Sequence, residues 1–358
     1  MKTAICYDYI NQYGGGERVL QIFLDIFKSA DFYTLFYDPS TNLIDKNRLV
    51  KTSFLDNYIV HKNHRAFIPF MPSAANSINL KNKYDLIISI TAGYAKGINY
   101  NFETTKHISY IFTPLRYAFE DEYIPNKIGY KNKYLKHLIN PVKNYLKNWD
   151  YKMAQRPNKI ITISSLTQDR IKKYYNRDSE ILTPGVDTKI FYPNLQKTKS
   201  YYLAMGRLMH YKKFDLIIKT FNTLKLPLKI VGRGPELKKL NQLNTSRYTS
   251  FLSSPQSDES LRLLYSQAKA LIFPQVEDFG LVALESMACN TPVIVYEKSG
   301  IIDIIKENIN GTLIKEQTEE EIIKAIKRLE NINTDDIYKT VEHLSLDNFK
   351  TNIQKIFS

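Results

Sequence analysis

Two basic residues five apart, Arg207 and Lys212, lie in the segment Gly206-Arg207-Leu208-Met209-His210-Tyr211-Lys212-Lys213, just past the apolar run Tyr201–Met205. A guanidinium and an ammonium placed there can converge on one diphosphate. Alone, the pair reads more plainly as a solvated basic loop. Further on, Glu277-Asp278-Phe279-Gly280-Leu281-Val282-Ala283-Leu284-Glu285 follows the apolar run Ala270–Phe273 and Pro274. The spacing predicts Glu277 in a loop and Glu285 a turn or more into a helix over Leu281–Ala288. Between them the backbone N–H groups of Phe279, Gly280 and Leu281 open that helix, where phosphate is favoured. The outcome is an anion site flanked by two acceptors for hydroxyl groups. A nucleotide sugar offers that combination, a diphosphate between ribose and sugar hydroxyls. The plainer alternative makes Glu277 and Asp278 helix-start charges and puts Glu285 on a solvated face.

A third segment, Tyr13-Gly14-Gly15-Gly16-Glu17-Arg18, follows the first apolar run and opens a helix. Gly14, Gly15 and Gly16 let backbone approach a ligand without Cβ obstruction, at the positive end of a helix. There is no Gly-Lys-Ser/Thr ending and no G-x-G-x-x-G, so neither common nucleotide loop is present. A tight strand-to-helix turn explains the glycines equally well.

These groups need elements to hold them. Apolar runs recur at Ala4–Tyr7, Leu86–Ile90, Ile108–Phe112, Ile160–Ile163, Tyr201–Met205, Leu228–Val231, Ala270–Phe273 and Val293–Tyr296. Most are continuous rather than alternating, as in parallel strands covered on both faces. Amphipathic stretches such as Glu17–Lys28, Lys213–Leu224 and Glu319–Leu329 lie between them. Alternating strands and helices predict doubly wound α/β sheets. A turn signal, Thr183-Pro184-Gly185, and a polar segment, Asn194–Ser200, predict a division into two halves. Ligands of such sheets bind at the carboxyl ends of the strands.

Composition narrows the partners. The chain has 358 residues, and 50 Lys+Arg against 36 Asp+Glu leave +14. Such an excess points to nucleic acid, a membrane surface or a phosphorylated substrate. Cys6 and Cys289 are the only cysteines, which excludes a disulfide scaffold and a four-cysteine zinc site. No apolar run reaches the roughly 18 residues of a membrane span. Asp8 ends the first apolar run too early for a signal peptide. The expectation is a cytoplasmic protein.

With these motifs in place, the sequence resembles glycosyltransferase family 4, retaining, nucleotide-sugar-dependent enzymes of the GT-B fold. The resemblance rests on Asn11–Leu20 with its glycines, on Pro184-Gly185-Val186-Asp187 with Phe191, on Gly206-Arg207 with Lys212, and on Glu277 to Glu285. Tyr7-Asp8-Tyr9, Tyr33-Thr34-Leu35 and Thr113-Pro114-Leu115-Arg116-Tyr117 look closest to the WbaZ-type mannosyltransferase branch. The resemblance implies two Rossmann-like domains facing a central cleft. They would be an acceptor-binding domain over 1–190, a nucleotide-sugar-binding domain over 191–343, and a last helix over 344–358 packing back on the first. It implies transfer of a sugar, mannose from GDP-mannose, to a growing, lipid-linked surface polysaccharide or O-antigen.

Residue roles follow from the same resemblance. Glu277 would bind donor-sugar hydroxyls and Glu285 the ribose. Arg207 and Lys212 would neutralise the diphosphate as it leaves, with no cofactor and no metal. The amides of Phe279, Gly280 and Leu281 would hold phosphate oxygens. Gly14, Gly15 and Gly16 would approach the donor phosphate from the other domain. Arg116, Tyr117, Tyr94 and Tyr123 are candidates for lining the acceptor groove.

One departure stands out. The family has histidine where this chain reads Phe112-Thr113-Pro114. Phenylalanine neither hydrogen-bonds a sugar nor polarises anything, and His107, five residues upstream, is expected to be structural. Either the enzyme does without the histidine, or another group replaces it, or activity is impaired; a reaction in which the leaving phosphate takes the acceptor's proton tolerates the loss better than a histidine-base mechanism. His61 and His64 are expected in a solvated loop, and His210 at the surface of the phosphate loop.

Lys127–Lys159 holds nine Lys/Arg and one acid, Asp150, with aromatic residues interleaved. Pro141 predicts two short helices there. They would offer either an anionic membrane a peripheral contact or a sheet an ordinary cover. No nucleic-acid motif appears. Two rivals remain: another nucleotide-sugar enzyme of the same fold, and a non-catalytic member that binds the nucleotide sugar.

Overall fold

The structure is a computed structural model describing residues 1–45, 47–81, 83–121, 133–194, 198–330 and 332–357, with backbone alone for 133–138. The chain divides into two compact units, Met1–Thr183 with Lys350–Ser358, and Pro184–Phe349. The division falls at the Thr183-Pro184 turn rather than at residue 190.

The first unit runs β1 (Thr3–Tyr7), α1 (Gly15–Ile26), β2 (Asp31–Thr34), β3 (Val50–Lys51), α2 (Tyr58–Asn63), α3 (Met71–Ser77), β4 (Leu86–Thr91), β5 (Lys106–Ile111), α4 (Arg116–Phe119), α5 (Lys133–Ala154), β6 (Lys159–Thr162), α6 (Ser165–Tyr175) and β7 (Glu180–Ile181). Its sheet has the order β3-β2-β1-β4-β5-β6-β7. Every pair is parallel. The strands β1 and β4 are buried at every position, which is why they read as unbroken apolar runs.

The second unit runs β8 (Tyr201–Met205), α7 (Phe214–Leu224), β9 (Leu228–Val231), α8 (Leu237–Leu243), β10 (Thr249–Leu252), α9 (Asp258–Ser266), β11 (Ala268–Phe273), α10 (Leu281–Ala288), β12 (Val293–Tyr296), β13 (Gly311–Ile314), α11 (Glu319–Leu329) and the start of α12 (Leu346–Phe357). Its sheet is β10-β9-β8-β11-β12-β13, again all parallel. In each sheet the order reverses beside its first strand, at β1/β4 and β8/β11. Those are the switch points where open α/β sheets take ligands.

All eight sequence-predicted strands are present. The five unforeseen ones are β2, β3, β7, β10 and β13. Four of these lie at sheet edges, where one flank is open and polar residues suffice. The glutamate and isoleucine of β7 are both exposed, so that strand carries no apolar signal.

Around Pro141 the expectation of two helices fails, because α5 runs unbroken from Lys133 to Ala154. Proline removes one backbone hydrogen bond. Here Leu146, Val142 and Trp149 pack α5 on the core of the first unit, which outweighs that loss. The end of α12 joins the first unit: the Phe357 and Phe23 rings meet edge-on at 5.1 Å, and Ile353 is buried.

Candidate functional site

The second-unit site is built around the end of β8. At Gly206 the chain leaves the strand with φ +145°, and its N–H donates to the Val231 carbonyl (3.0 Å). The loop is pressed against the segment after β9: a Cβ on Gly232 would lie 1.9 Å from the Gly206 oxygen. Leu208 N–H donates to Arg233 O at 2.7 Å, fixing the two loops side by side. Gly232 and Gly234 are site-shaping residues that motif reading missed. Their signal, Gly-Arg-Gly-Pro directly after a strand, was present.

Arg207 is exposed on this loop. A short 3-10 turn, His210–Lys212, carries Lys212 back toward the strand end, where its Nζ lies 3.7 Å from the Cβ position of Gly206. That ammonium donates to Glu277 Oε2 at 2.5 Å. The two side chains are only 12% and 21% exposed, so the pair is sheltered but reachable. Glu277 is pinned from behind, since Gly300 N–H donates to its carbonyl at 2.8 Å. The structure thus brings the loop lysine and the loop carboxylate into contact across 65 residues.

Asp278 and Phe279 are buried, and Gly280 caps α10 with φ +105°. A Cβ there would meet Phe273 Cζ at 2.9 Å, so glycine alone suits both backbone and space. Leu281 opens the helix. One turn on, Glu285 is buried rather than on a solvated face. Its Oε2 accepts from the Tyr265 hydroxyl at 2.7 Å, and that hydroxyl lies 3.2 Å from Met205 Sδ. Glu285 therefore sits beside the last residue of β8. Tyr265 is wholly buried and had no sequence signal. His210 is half-buried and lines a small hollow with Asp215, Glu236 and Lys239.

In the first unit, Gly14 caps α1 in an extended conformation and Gly15 is exposed. Gly16 has a packing reason: a Cβ would lie 2.9 Å from the Tyr7 hydroxyl and 3.3 Å from Phe112 Cε2. Tyr7 donates to buried Glu17 at 3.0 Å. Burial first, then the Glu17 charge, hold that phenol well above its usual range. Phe112 is half-buried against the Gly16 loop and edge-on to Tyr110 at 5.6 Å.

Asp8, read from sequence only as the end of an apolar run, organises the next loop. Its Oδ1 accepts from Thr91 Oγ1 (2.6 Å), Tyr94 N–H (2.8 Å) and Ala95 N–H (2.6 Å), and its Oδ2 from Ala92 N–H (2.7 Å). Burial is the largest influence on its carboxyl and raises its pKa against those bonds. Tyr94 lies inside the core, its hydroxyl bonded to that of Tyr117 and its ring 5.8 Å from Trp149. Arg116 opens α4. Tyr123 lies outside the described residues.

Beneath this loop Lys96 Nζ and Asp150 Oδ1 pair at 2.5 Å, both side chains fully buried. Tyr175 donates to Asp150 Oδ2 at 2.6 Å. His107 is structural, as expected: its ring nitrogens meet Ser89 Oγ (2.8 Å) and Tyr100 Oη (3.0 Å), and burial pushes its pKa down to about 3. Buried and bonded through both ring nitrogens, it is not available to act in place of a side chain at position 112.

His61 and His64 are not solvated. His61 pairs with Asp56 at 2.6 Å, and both rings turn inward to Phe36. No group of three or more metal-ligating side chains occurs among the described residues.

The fold is α/β with two Rossmann-like units of the GT-B class. It matches sucrose-phosphate synthase of Thermosynechococcus elongatus over 100% of this chain and 98% of that one, with TM-score 0.73 at 14% identity. HepE of Anabaena, solved in complex with UDP-glucose, matches over 99% of each chain with TM-score 0.71, also at 14% identity. Residues 186–344, most of the second unit, match the family model described as glycosyl transferases group 1. The O-antigen chain mannosyltransferase RfbU of Salmonella typhimurium is 30% identical over 191 residues, 50% of this chain and 53% of that protein. The chain spans about half the length of the curated relatives it matches.

Proposed function

We propose that this chain is a glycosyltransferase that moves a sugar from a nucleotide-sugar donor to a glycan acceptor, with the donor held by the second unit. The observation that carries this reading is the sheltered Lys212–Glu277 contact at the β8/β11 switch point, within the segment matching glycosyl transferases group 1. A diphosphate entering there meets Lys212 and Arg207, and the first turn of α10 adds its positive end. Glu277 is then placed to accept from donor-sugar hydroxyls, and Glu285 from the ribose.

We infer a retaining reaction. The bond from the anomeric carbon to the phosphate oxygen breaks, and its electron pair stays on the phosphate. The acceptor hydroxyl attacks from the same face, and its proton passes to the departing phosphate. The two basic side chains carry the charge that develops, with no metal required for that role. Phe112 fits this scheme, since no side-chain base is called on at that position.

The similarity to the O-antigen chain mannosyltransferase RfbU supports mannose as the sugar and an O-antigen glycan as acceptor; GDP-mannose as donor and a lipid-linked O-antigen or capsular acceptor extend that reading. Such an acceptor would place the chain in the cytoplasm, in peripheral contact with the inner face of the plasma membrane. The test is a panel of nucleotide sugars screened by thermal shift, followed by NMR of the product's anomeric proton. GDP-mannose should stabilise the protein most and give an α-linked product. Stabilisation by none of the donors would remove the donor site, and a β-linked product would remove retention.

A further inference from the structure

The helix α2 shows two opposite faces. Its inward face is fixed by Val60, fully buried, and by His61 and His64 against Phe36 and Tyr9. The Asn57 side chain caps its first turn, accepting from Ile59 N–H (3.2 Å) and Val60 N–H (3.1 Å). The outward face carries Tyr58, Ile59, Lys62 and Asn63, all exposed. Tyr58 is 69% exposed and Ile59 63%. Lys62 Nζ lies 4.3 Å from the Tyr58 ring centroid, so cation and aromatic ring form one surface.

Two more large apolar side chains flank this face in sequence. Phe54 precedes α2, and Phe70 closes the 3-10 turn that follows it; both are more than half exposed. Arg65 is exposed too, and neither Lys62 nor Arg65 forms an ion pair among the described residues. The nearby acid, Asp56, is already engaged by His61. Water is a poor solvent for so many large apolar groups within one short segment. Rings and an aliphatic chain set among unpaired cations match the boundary of an anionic bilayer, where apolar groups enter the acyl edge and cations meet headgroups.

The basic helix α5 is the poorer candidate. Trp149, Leu146 and Val142 pack on the core, and of its described aromatic residues only Tyr145 and Tyr151 are exposed. Lys143 pairs with Asp121, and Lys147 lies 5.7 Å from the Phe119 ring centroid. Its charge is partly used within the protein.

We propose that the outward face of α2, with Phe54 and Phe70 on either side in sequence, is the surface on which this chain rests on an anionic membrane. The proposal rests on the reading above only in giving the contact a purpose, access to a lipid-linked acceptor. Tyr58 and Ile59 enter the headgroup boundary, and Lys62 and Arg65 meet lipid phosphates.

The test is co-sedimentation of the full chain with vesicles of equal parts phosphatidylglycerol and phosphatidylethanolamine at low salt. The wild type should pellet with them and much less with pure phosphatidylcholine. Tyr58→Ser with Ile59→Asp should lower partitioning about tenfold or more, at an unchanged melting temperature. Lys62→Glu with Arg65→Glu should lower it severalfold and weaken its salt dependence. Because Cys6 and Cys289 are buried, a polarity-sensitive dye on Ile59→Cys labels this face selectively, and its emission should shift blue on adding anionic vesicles.

Three outcomes overturn the proposal: no wild-type binding to anionic vesicles, full binding by the Tyr58/Ile59 variant, or no dye shift. Loss of binding only on Lys147→Glu with Lys152→Glu would move the contact to α5 and overturn it as well. Vesicle binding without sugar transfer to any acceptor would instead sink the enzymatic reading and leave this surface standing.

Discussion

Two lysine–carboxylate pairs of equal length, Lys212–Glu277 and Lys96–Asp150, both at 2.5 Å, have opposite characters. The first lies at the end of a strand in the second unit, with each side chain partly open to solvent. The second lies beneath a loop of the first unit and is sealed. A charge that water can reach can exchange its partner for a ligand at modest cost, whereas a sealed one cannot. Contact distance alone therefore does not separate a sealed pair from one that could trade its partner for a ligand; exposure does.

The sharpest way to break this contrast is to cut each pair. Asp150→Ala removes the carboxylate in contact with the buried Lys96 ammonium and leaves it the Gly93 carbonyl, the Tyr175 ring and the weaker pull of the Asp8 charge. Denaturant unfolding should show a loss of about 3–5 kcal/mol. A loss below about 1 kcal/mol would erase the distinction. Lys212→Ala should behave in the opposite way. Turnover should fall roughly 10²–10³-fold, as when one preorganised electrostatic group is removed, with the melting temperature nearly unchanged. If melting fell as far as for Asp150→Ala, Lys212 would be structural.

Acid sharpens the same contrast within the first unit. The folded-state pKa of His107 is depressed to about 3 against an ordinary 6.5. Between those values the unfolded chain binds a proton that the folded chain refuses, so stability falls as pH drops below 6.5. By pH 5 the loss reaches about 2 kcal/mol, and His107→Gln should flatten that part of a stability-against-pH curve. An equal slope in the variant would assign the acid sensitivity elsewhere.

The smallest effect is expected at Tyr265→Phe, which removes one buried hydroxyl from Glu285 and keeps the ring edge-on to Phe191. Donor KM should rise about fivefold, roughly 1 kcal/mol, with kcat little changed. Weaker discrimination between ribose and 2′,3′-dideoxyribose nucleotides would tie the change to Glu285. Unaltered discrimination would detach Tyr265 from the ribose.

Legibility differed between the units for a physical reason. In the second unit the candidate site residues stand a few positions past a strand or at a helix start, so motif spacing already brings them near a switch point. Arg207, Lys212, Glu277, Gly280 and Glu285 were all named from that pattern. In the first unit Asp8 works through donors more than eighty residues away. No spacing rule points from Asp8 to Thr91 or Ala95. Tyr265 was missed likewise, because its partners Glu285 and Met205 come from other elements.

Charge patterning showed only part of the surface. The basic block of α5 was conspicuous in sequence, but Val142, Leu146 and Trp149 turn to the core, while Tyr145 and Tyr151 stay exposed. The apolar face of α2 was invisible, because six residues carry too little periodicity to show which side is buried.

By itself, the sequence determined the α/β class, eight of the strands and which loop and helix-start residues of the second unit are candidates for a site. Local hydrophobic runs and loop motifs encode these directly. Tertiary structure alone decided which charged pair is sealed and which is open, that Glu285 is buried against Tyr265, and which side of α2 meets solvent. Each of these depends on burial, and burial is a property of packing between segments distant in the chain.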